Sequence, residues 1–315
     1  MSNGFEDLLR GGGSAPIPPK GLVILGATGD MVSKRESRDA LAYLAQHKIL
    51  RLPDNPILLA AGSHPLSGAA YRRKFARGDS ASHPLEPGSL RRFETLAGLD
   101  TPGMHLPAVD VGRTGDLAAL RLPRPDNVLY AALPPRLYSP LLENLHRAGL
   151  LQAERRIGMI LLEKPFGQDL ACARKLQEII TKHQDKTRVC LIDHFLAYPG
   201  TLNLLAFRAQ PEVDKALQPE FLERLDVILS ERIQSNDRPY FRETGCVVDM
   251  VQSHALLLLA SFALETPTNW SGGSLQAARL QDAPTVRGPC LGNWACNRFW
   301  MRLLYVHDPI HNMTP

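Results

Sequence analysis

Short, continuous apolar runs alternate with amphipathic stretches over the first two hundred residues, and this restricts the fold more than any other feature. Successive side chains of a strand point to opposite faces of a sheet, so a strand that is apolar throughout must be covered on both sides. Helices between such strands supply both the cover and the crossover. The pattern therefore predicts βαβ units on a doubly wound parallel sheet, an α/β fold. The expected strands are Gly21–Leu25, Pro56–Ala61, Asn127–Leu133, Ile157–Glu163 and Arg188–His194, with a weaker His105–Val111 between the second and third. The expected helices are Ser33–His47, Ala69–Arg77, Arg136–Ala148 and Leu170–His183.

Past His194 the pattern changes. A helix over Gly200–Ala209, a strand over Leu222–Ser230 and a long apolar helix over Val247–Leu264 read as the opening of a second, α+β domain. Thr266 to Pro315 scatters Trp, Gly and Pro with little periodicity and supports no assignment. Residues 1–20 carry Glu6, Asp7, three consecutive glycines and a Pro-rich stretch, a composition expected of a flexible lead-in and not of a signal peptide.

A chain of 315 residues with 44% apolar and 22% charged residues is that of a globular protein whose cores need no staples. A net charge of +4 helps to draw in small anions but is too weak to argue for nucleic acid. No apolar run approaches the roughly 18 residues of a membrane span. The five cysteines form no CxxC pair and no zinc spacing, so no metal is expected and reduced thiols in the cytoplasm are the plain reading.

Four segments carry residues suited to chemistry. Gly26-Ala27-Thr28-Gly29-Asp30 follows an apolar strand and precedes a helix, where glycines let a turn tighten and a helix N-terminus favours phosphate. An ordinary strand-to-helix turn has the same look. Glu163-Lys164-Pro165-Phe166-Gly167 ends another strand, where a lysine either reaches a bound anion or is simply solvated, and where an X-Pro bond is open to the cis form. Ile192-Asp193-His194 ends a third; Asp193 and His194, adjacent on a strand, point in opposite directions, as site residues or as a cap and an exposed histidine. Asp249 and His254 lie five residues apart in an otherwise apolar helix, about 140° around an α-helical axis, so they flank a ligand sooner than touch each other. A histidine there is a base of suitable range or a satisfied core residue.

In this order and register, over Gly21 to Pro267, the four segments resemble the glucose-6-phosphate dehydrogenase family. The likeness is clearest in Leu133-Pro134-Pro135 through Gly149, Leu162–Asp169, Ile192–Arg208 and Glu231–His254. The resemblance implies a Rossmann-like dinucleotide-binding domain over 21–193 and an α+β substrate and dimerisation domain over 194–315. It implies oxidation of glucose 6-phosphate at C1 to 6-phosphogluconolactone, with hydride passing to NADP or NAD. His254 matches the family's general base, Asp193 the carboxylate that orients it, and His194 a phosphate ligand. Lys164 matches the lysine that positions sugar and coenzyme, and Glu231 and Asp249 match carboxylates that hold sugar hydroxyls. Cofactor contacts fall on Gly26, Ala27, Thr28, Gly29, Asp30, Ser63, Pro134 and Lys164. Family members are homo-oligomers.

The departures are specific. Ser33-Lys34-Arg35-Glu36-Ser37-Arg38-Asp39 carries one extra residue, so the family's substrate lysine falls on Arg35 or Glu36. Tyr198 stands where the family has a second phosphate lysine, and a hydroxyl bond is about half as strong as a charge-assisted one. Gly62-Ser63-His64 lacks the arginine that clasps the NADP 2′-phosphate, leaving Arg72 and Arg73 on the next helix as substitutes. Family chains are longer, and the remainder completes a large antiparallel sheet that forms the dimer interface. These features set an active dehydrogenase against a non-catalytic sugar-phosphate or nucleotide-binding descendant.

Overall fold

The structure is a computed structural model that describes residues 21–29, 32, 37–41, 57–60, 64–77, 87–99, 101–152, 154, 156–167, 169–193, 195, 198–217, 221, 224–231, 247–263, 286–287, 293–296 and 300–307. Two compact units divide the chain, one of residues 18–192 and one that contains residues 193–315.

In the first unit the elements run β1 (Gly21–Leu25), β2 (Ile57–Ala60), β3 (Leu66–Ser67), α1 (Gly68–Arg77), α2 (Pro87–Leu96), β4 (His105–Leu106), α3 (Thr114–Ala118) and β5 (Asp126–Ala131). They continue with α4 (Tyr138–Arg147), β6 (Arg156–Glu163), α5 (Leu170–His183) and β7 (Arg188–Ile192). Five strands form one sheet in the order β2-β1-β5-β6-β7, and every pair is parallel. The winding reverses between β1 and β5, which is where open α/β sheets leave a crevice at their carboxyl edge.

Alternation along the strands builds two cores. Val23, Leu25, Leu129, Ala131, Ile160 and Leu162 meet Leu141, Leu142 and Leu145 of α4 and Leu176 and Ile179 of α5 on one face. Ile24, Ile57, Leu59 and Tyr130 meet Tyr71 and Phe75 of α1 and Phe93 of α2 on the other. The Phe75 and Phe93 rings stack at 4.3 Å between centroids, locking α1 to α2. Each fully buried side chain of this size contributes about 1.5–3 kcal/mol.

Polar side chains trim the ends of these elements. Asn127 is fully buried where the β5–β6 register shifts; its Nδ2 donates to the Arg124 and Arg156 carbonyls and its Oδ1 accepts the Arg124 amide. Arg38, only 1% exposed, donates to the carbonyls of Phe75 and Ala76 and so caps the C-terminus of α1. Asp169 caps α5 by accepting the Cys172 amide at 2.7 Å, and that bond holds its carboxyl below the ordinary range.

The second unit contains α6 (Pro199–Arg208), α7 (Pro211–Ala216), β8 (Arg224–Glu231), a π-helix (Val247–Ala255), α8 (Leu256–Ala263), β9 (Val286–Arg287), β10 (Asn293–Cys296) and β11 (Trp300–His307). Its sheet runs β8-β11-β10-β9, with β8 and β11 parallel and the other pairs antiparallel. Leu229, Met250, Val251 and Ala255 form a core with Phe195, Val227 and Leu258.

Several expectations change. The fifth strand stops at Ile192, because the Asp193 carboxylate accepts the Phe195 amide and closes a turn; Asp193 and His194 are not neighbours on a strand. The strand expected to reach Leu133 ends at Ala131, and the following prolines start a single 3-10 turn, Pro135–Leu137. His105–Leu106 pairs antiparallel with Leu66–Ser67 outside the main sheet, and Pro107 has no amide to extend it. The long apolar helix is π-helical over its first half, a geometry whose i→i+5 bonding brings positions five apart to one side. The tail without periodicity contains three strands.

One pair of histidines ends α4 and α5. The His146 and His183 rings lie 4.6 Å apart, and His183 is 3% exposed. Burial above all, then His146, Lys182 and Lys186, lower the pKa of His183 below its ordinary 6.5, with Glu143 opposing. The unfolded chain therefore binds more protons than the folded one as pH falls below about 6.5. The stability that His183 contributes is complete above that pH and is lost as pH falls toward the lowered value. Urea unfolding of the wild type and His183→Leu across this window is expected to show the wild type losing more stability on acidification.

Candidate active site

The Gly26 turn leaves β1 at the reversal of the sheet. Gly26 has φ +78°, and a Cβ there would stand 2.2 Å from the Ala132 carbonyl oxygen on the loop after β5. Only glycine permits this approach. The Ala27 amide donates to the Ala60 carbonyl at the end of β2, and the Gly29 amide donates to Gly26 O at 2.9 Å. These two amides thus shape the turn itself. Lys74, from the last turn of α1, donates its ammonium to the Thr28 carbonyl. Of the candidate cations on that helix it is Lys74, not half-buried Arg72 or exposed Arg73, for which this contact to the turn is seen.

Because β1, β5 and β6 are adjacent and parallel, Gly26, Pro134 and Lys164 emerge at the same edge of the sheet. The Lys164–Pro165 bond is cis. Glu163, just before it, is held twice. Tyr130 Oη donates to its carboxylate at 2.9 Å and Tyr138 Oη donates to its carbonyl at 2.8 Å. Ser37 Oγ lies 2.9 Å from Tyr130 Oη, and with that phenol donating to Glu163 the serine is the donor. Burial first, and the Glu163 carboxylate second, push the Tyr130 phenol far above its ordinary pKa, so it remains a donor. This cradle fits a dinucleotide: a glycine turn drawn against the neighbouring loop, a strand-end lysine, and a cation at the turn.

The second group of residues lies in the other unit. His254 sits in the π-helix with its side chain 2% exposed, and its Nδ1 is 3.1 Å from Asp193 Oδ1. A carboxylate only accepts, so Nδ1 carries the proton and, in the neutral ring, Nε2 carries the lone pair. The same Asp193 oxygen accepts the Phe195 amide at 2.9 Å. The Phe195 ring lies 3.6 Å from the imidazole, at 20° between planes. Tyr198 precedes α6, 38% exposed, with its ring 5.0 Å from Phe195.

The structure brings Asp193 and His254 together. It places Glu231 at the end of β8, in register with His307, and Asp249 five positions before His254 in the π-helix. Asp30, Ser63, His194, Arg35 and Glu36 lie outside the described residues. Lys74, Tyr130, Thr201 and Phe195 escaped the sequence reading. Their spacing carries no motif, and only the tertiary packing puts them beside the turn, Glu163 and the imidazole. Among the described residues no three His, Cys, Asp or Glu side chains cluster as metal ligands, and no helix is long and apolar enough to cross a membrane.

Comparison with known proteins fits both groups of residues. The chain is 27% identical over 296 residues to a glucose-6-phosphate 1-dehydrogenase of Chlamydia pneumoniae, covering 89% of this chain and 57% of that one. With the enzyme of Gluconobacter oxydans the figures are 29% over 279 residues, 84% and 54%. The chain thus spans little more than half the length of these relatives. A solved glucose-6-phosphate 1-dehydrogenase from Mycobacterium avium shares the fold with a TM-score of 0.71 at 22% identity, over 95% of this chain and 75% of that one. The family model described as glucose-6-phosphate dehydrogenase, C-terminal domain, matches residues 207–285, further into the tail than the sequence motifs suggested. The model described as glucose-6-phosphate dehydrogenase, NAD binding domain, matches residues 23–203, more than half of the chain, which therefore belongs to the glucose-6-phosphate dehydrogenase family.

Proposed function

We propose that the protein oxidises glucose 6-phosphate at C1 to the lactone. The observation that carries this reading is the Asp193–His254 pair, whose 3.1 Å bond fixes the imidazole tautomer with the lone pair on Nε2. That nitrogen takes the C1 hydroxyl proton, and Asp193 stabilises the imidazolium that forms. When bound, the nicotinamide cofactor accepts the hydride that leaves C1. Lys164 supplies positive charge for the anionic ligands, and His194 is the histidine assigned to the sugar phosphate. Tyr198, in place of a lysine, offers that phosphate a hydroxyl instead of a charge, so a high KM for glucose 6-phosphate is part of the reading.

NADP is the preferred acceptor in this proposal, and Lys74 supports it. The ribose 2′ position of a dinucleotide lies near the end of the second strand of such folds, and a cation there favours the 2′-phosphate. Lys74→Met is expected to weaken NADP binding roughly tenfold while leaving NAD binding nearly unchanged. Calorimetric titration of both nucleotides checks this without need of turnover, and equal losses for the two would remove Lys74 from selectivity.

The test of the reaction is absorbance of the reduced nicotinamide, with glucose 6-phosphate or glucose as substrate and NADP or NAD as acceptor. Turnover of glucose 6-phosphate supports the reading. A cooperatively folded protein that binds nucleotide or sugar phosphate without turnover makes it a non-catalytic descendant.

A further inference from the structure

Asp193 alone does not define where His254 points. A single Nδ1–H···Oδ1 bond leaves the imidazole free to rotate about the bond axis, and that rotation sweeps Nε2 through an arc. A flat contact on the ring face removes this freedom. Phe195 supplies that contact, its ring 3.6 Å from the imidazole and 20° from coplanar.

Phe195 is itself held on several sides. Its amide donates to Asp193 Oδ1 at 2.9 Å, the oxygen that also receives His254. Its carbonyl accepts Thr201 Oγ1 at 2.6 Å and the Tyr198 amide at 3.3 Å. Its side chain packs with Leu229, Met250, Val251 and Ala255, two of which flank His254 within the same π-helix. One residue thus ties together the carboxylate, the imidazole face and the start of α6.

We propose that Phe195 is the positioning residue of the base: Asp193 sets the edge of the imidazole and Phe195 sets its plane, so that together they aim Nε2. This rests on reading His254 as the base. A misaimed base costs rate and leaves substrate affinity intact, since a displacement of about 1 Å is worth on the order of 10²-fold.

The test uses the full chain labelled with ¹⁵N in its histidine rings, with the His254 signals identified by their absence from His254→Asn. Above the titration range of histidine, the wild type is expected to show the two ring nitrogens widely split, as one tautomer. Phe195→Tyr keeps a flat ring and is expected to keep that split and most of the activity. Phe195→Leu keeps apolar bulk without a flat face; its two nitrogen signals are expected to converge as tautomers mix, with kcat down roughly 10- to 100-fold and KM within about twofold. Phe195→Ala is expected to go further, and if it unfolds, the Leu and Tyr variants carry the comparison.

An unchanged split in Phe195→Leu would overturn the proposal, because Asp193 then suffices to hold the ring. Equal loss of kcat in the Tyr and Leu variants would overturn it too, since packing rather than the flat face would be responsible. If the wild type turns over no sugar phosphate, the dehydrogenase reading fails by itself, while the nitrogen spectra still decide whether Phe195 orients His254.

Discussion

His254→Asn is expected to lower kcat for glucose 6-phosphate by roughly 10²- to 10⁴-fold with little change in KM. That is the range by which a positioned general base accelerates a reaction. Asparagine can still donate a hydrogen bond to Asp193 Oδ1, so the buried carboxylate keeps a partner and the π-helix keeps its side-chain volume. What disappears is the basic nitrogen. Steady-state kinetics together with a thermal melt check the result; a cooperative melt near that of the wild type shows that the loss is chemical. His194→Asn is expected to behave in the opposite way, raising KM with a smaller effect on kcat. If the two patterns are exchanged, the roles of base and phosphate ligand must be exchanged as well.

Gly26→Ala is expected to destabilise the first unit by at least about 3 kcal/mol and to abolish nucleotide binding. Two effects add. The φ of +78° is strained for any residue with a Cβ, and that Cβ would lie 2.2 Å from the Ala132 carbonyl oxygen, a backbone atom that moves only if the β5 loop moves. Gly103 separates the two. Its φ is +75°, yet nothing lies within 4 Å of its Cβ position. Gly103→Ala is therefore expected to cost only about 1 kcal/mol, the conformational part alone. Thermal unfolding of both variants measures the difference, which for a unit of this size amounts to several degrees. Equal melting temperatures would show that the loop after β5 yields to the added methyl and that the close approach has no role in shaping the turn.

The first unit was largely legible from local pattern. Continuous apolar runs at Gly21–Leu25 and Ile157–Glu163 mark strands covered on both faces, and helical periodicity over Leu170–His183 marks α5 to its last residue. Elements whose ends depend on single polar contacts were less so. The end of β7 follows from one carboxylate–amide bond at Asp193, and the strand-like look of His105–Val111 is undone by Pro107. The π-helix is invisible to apolar periodicity, because runs such as Leu256–Leu259 are apolar at every phase.

At the candidate site, the motifs named residues by type and place: the glycine turn, the strand-end Lys164, Asp193 and His254. The sequence by itself determined the class of fold, the order of its strands along the chain and the family to which the motifs belong, since all of these are written in local periodicity and in short motifs. Tertiary structure alone decided which side chains meet. Asp193 and His254 are 61 positions apart and bond at 3.1 Å. Lys74 reaches Thr28 across 46 positions and Tyr130 reaches Glu163 across 33. No spacing rule connects residues so far apart. Their meeting depends on how the strands are ordered, how the chain turns after Ile192, and which face each helix buries, and those are properties of the packed molecule.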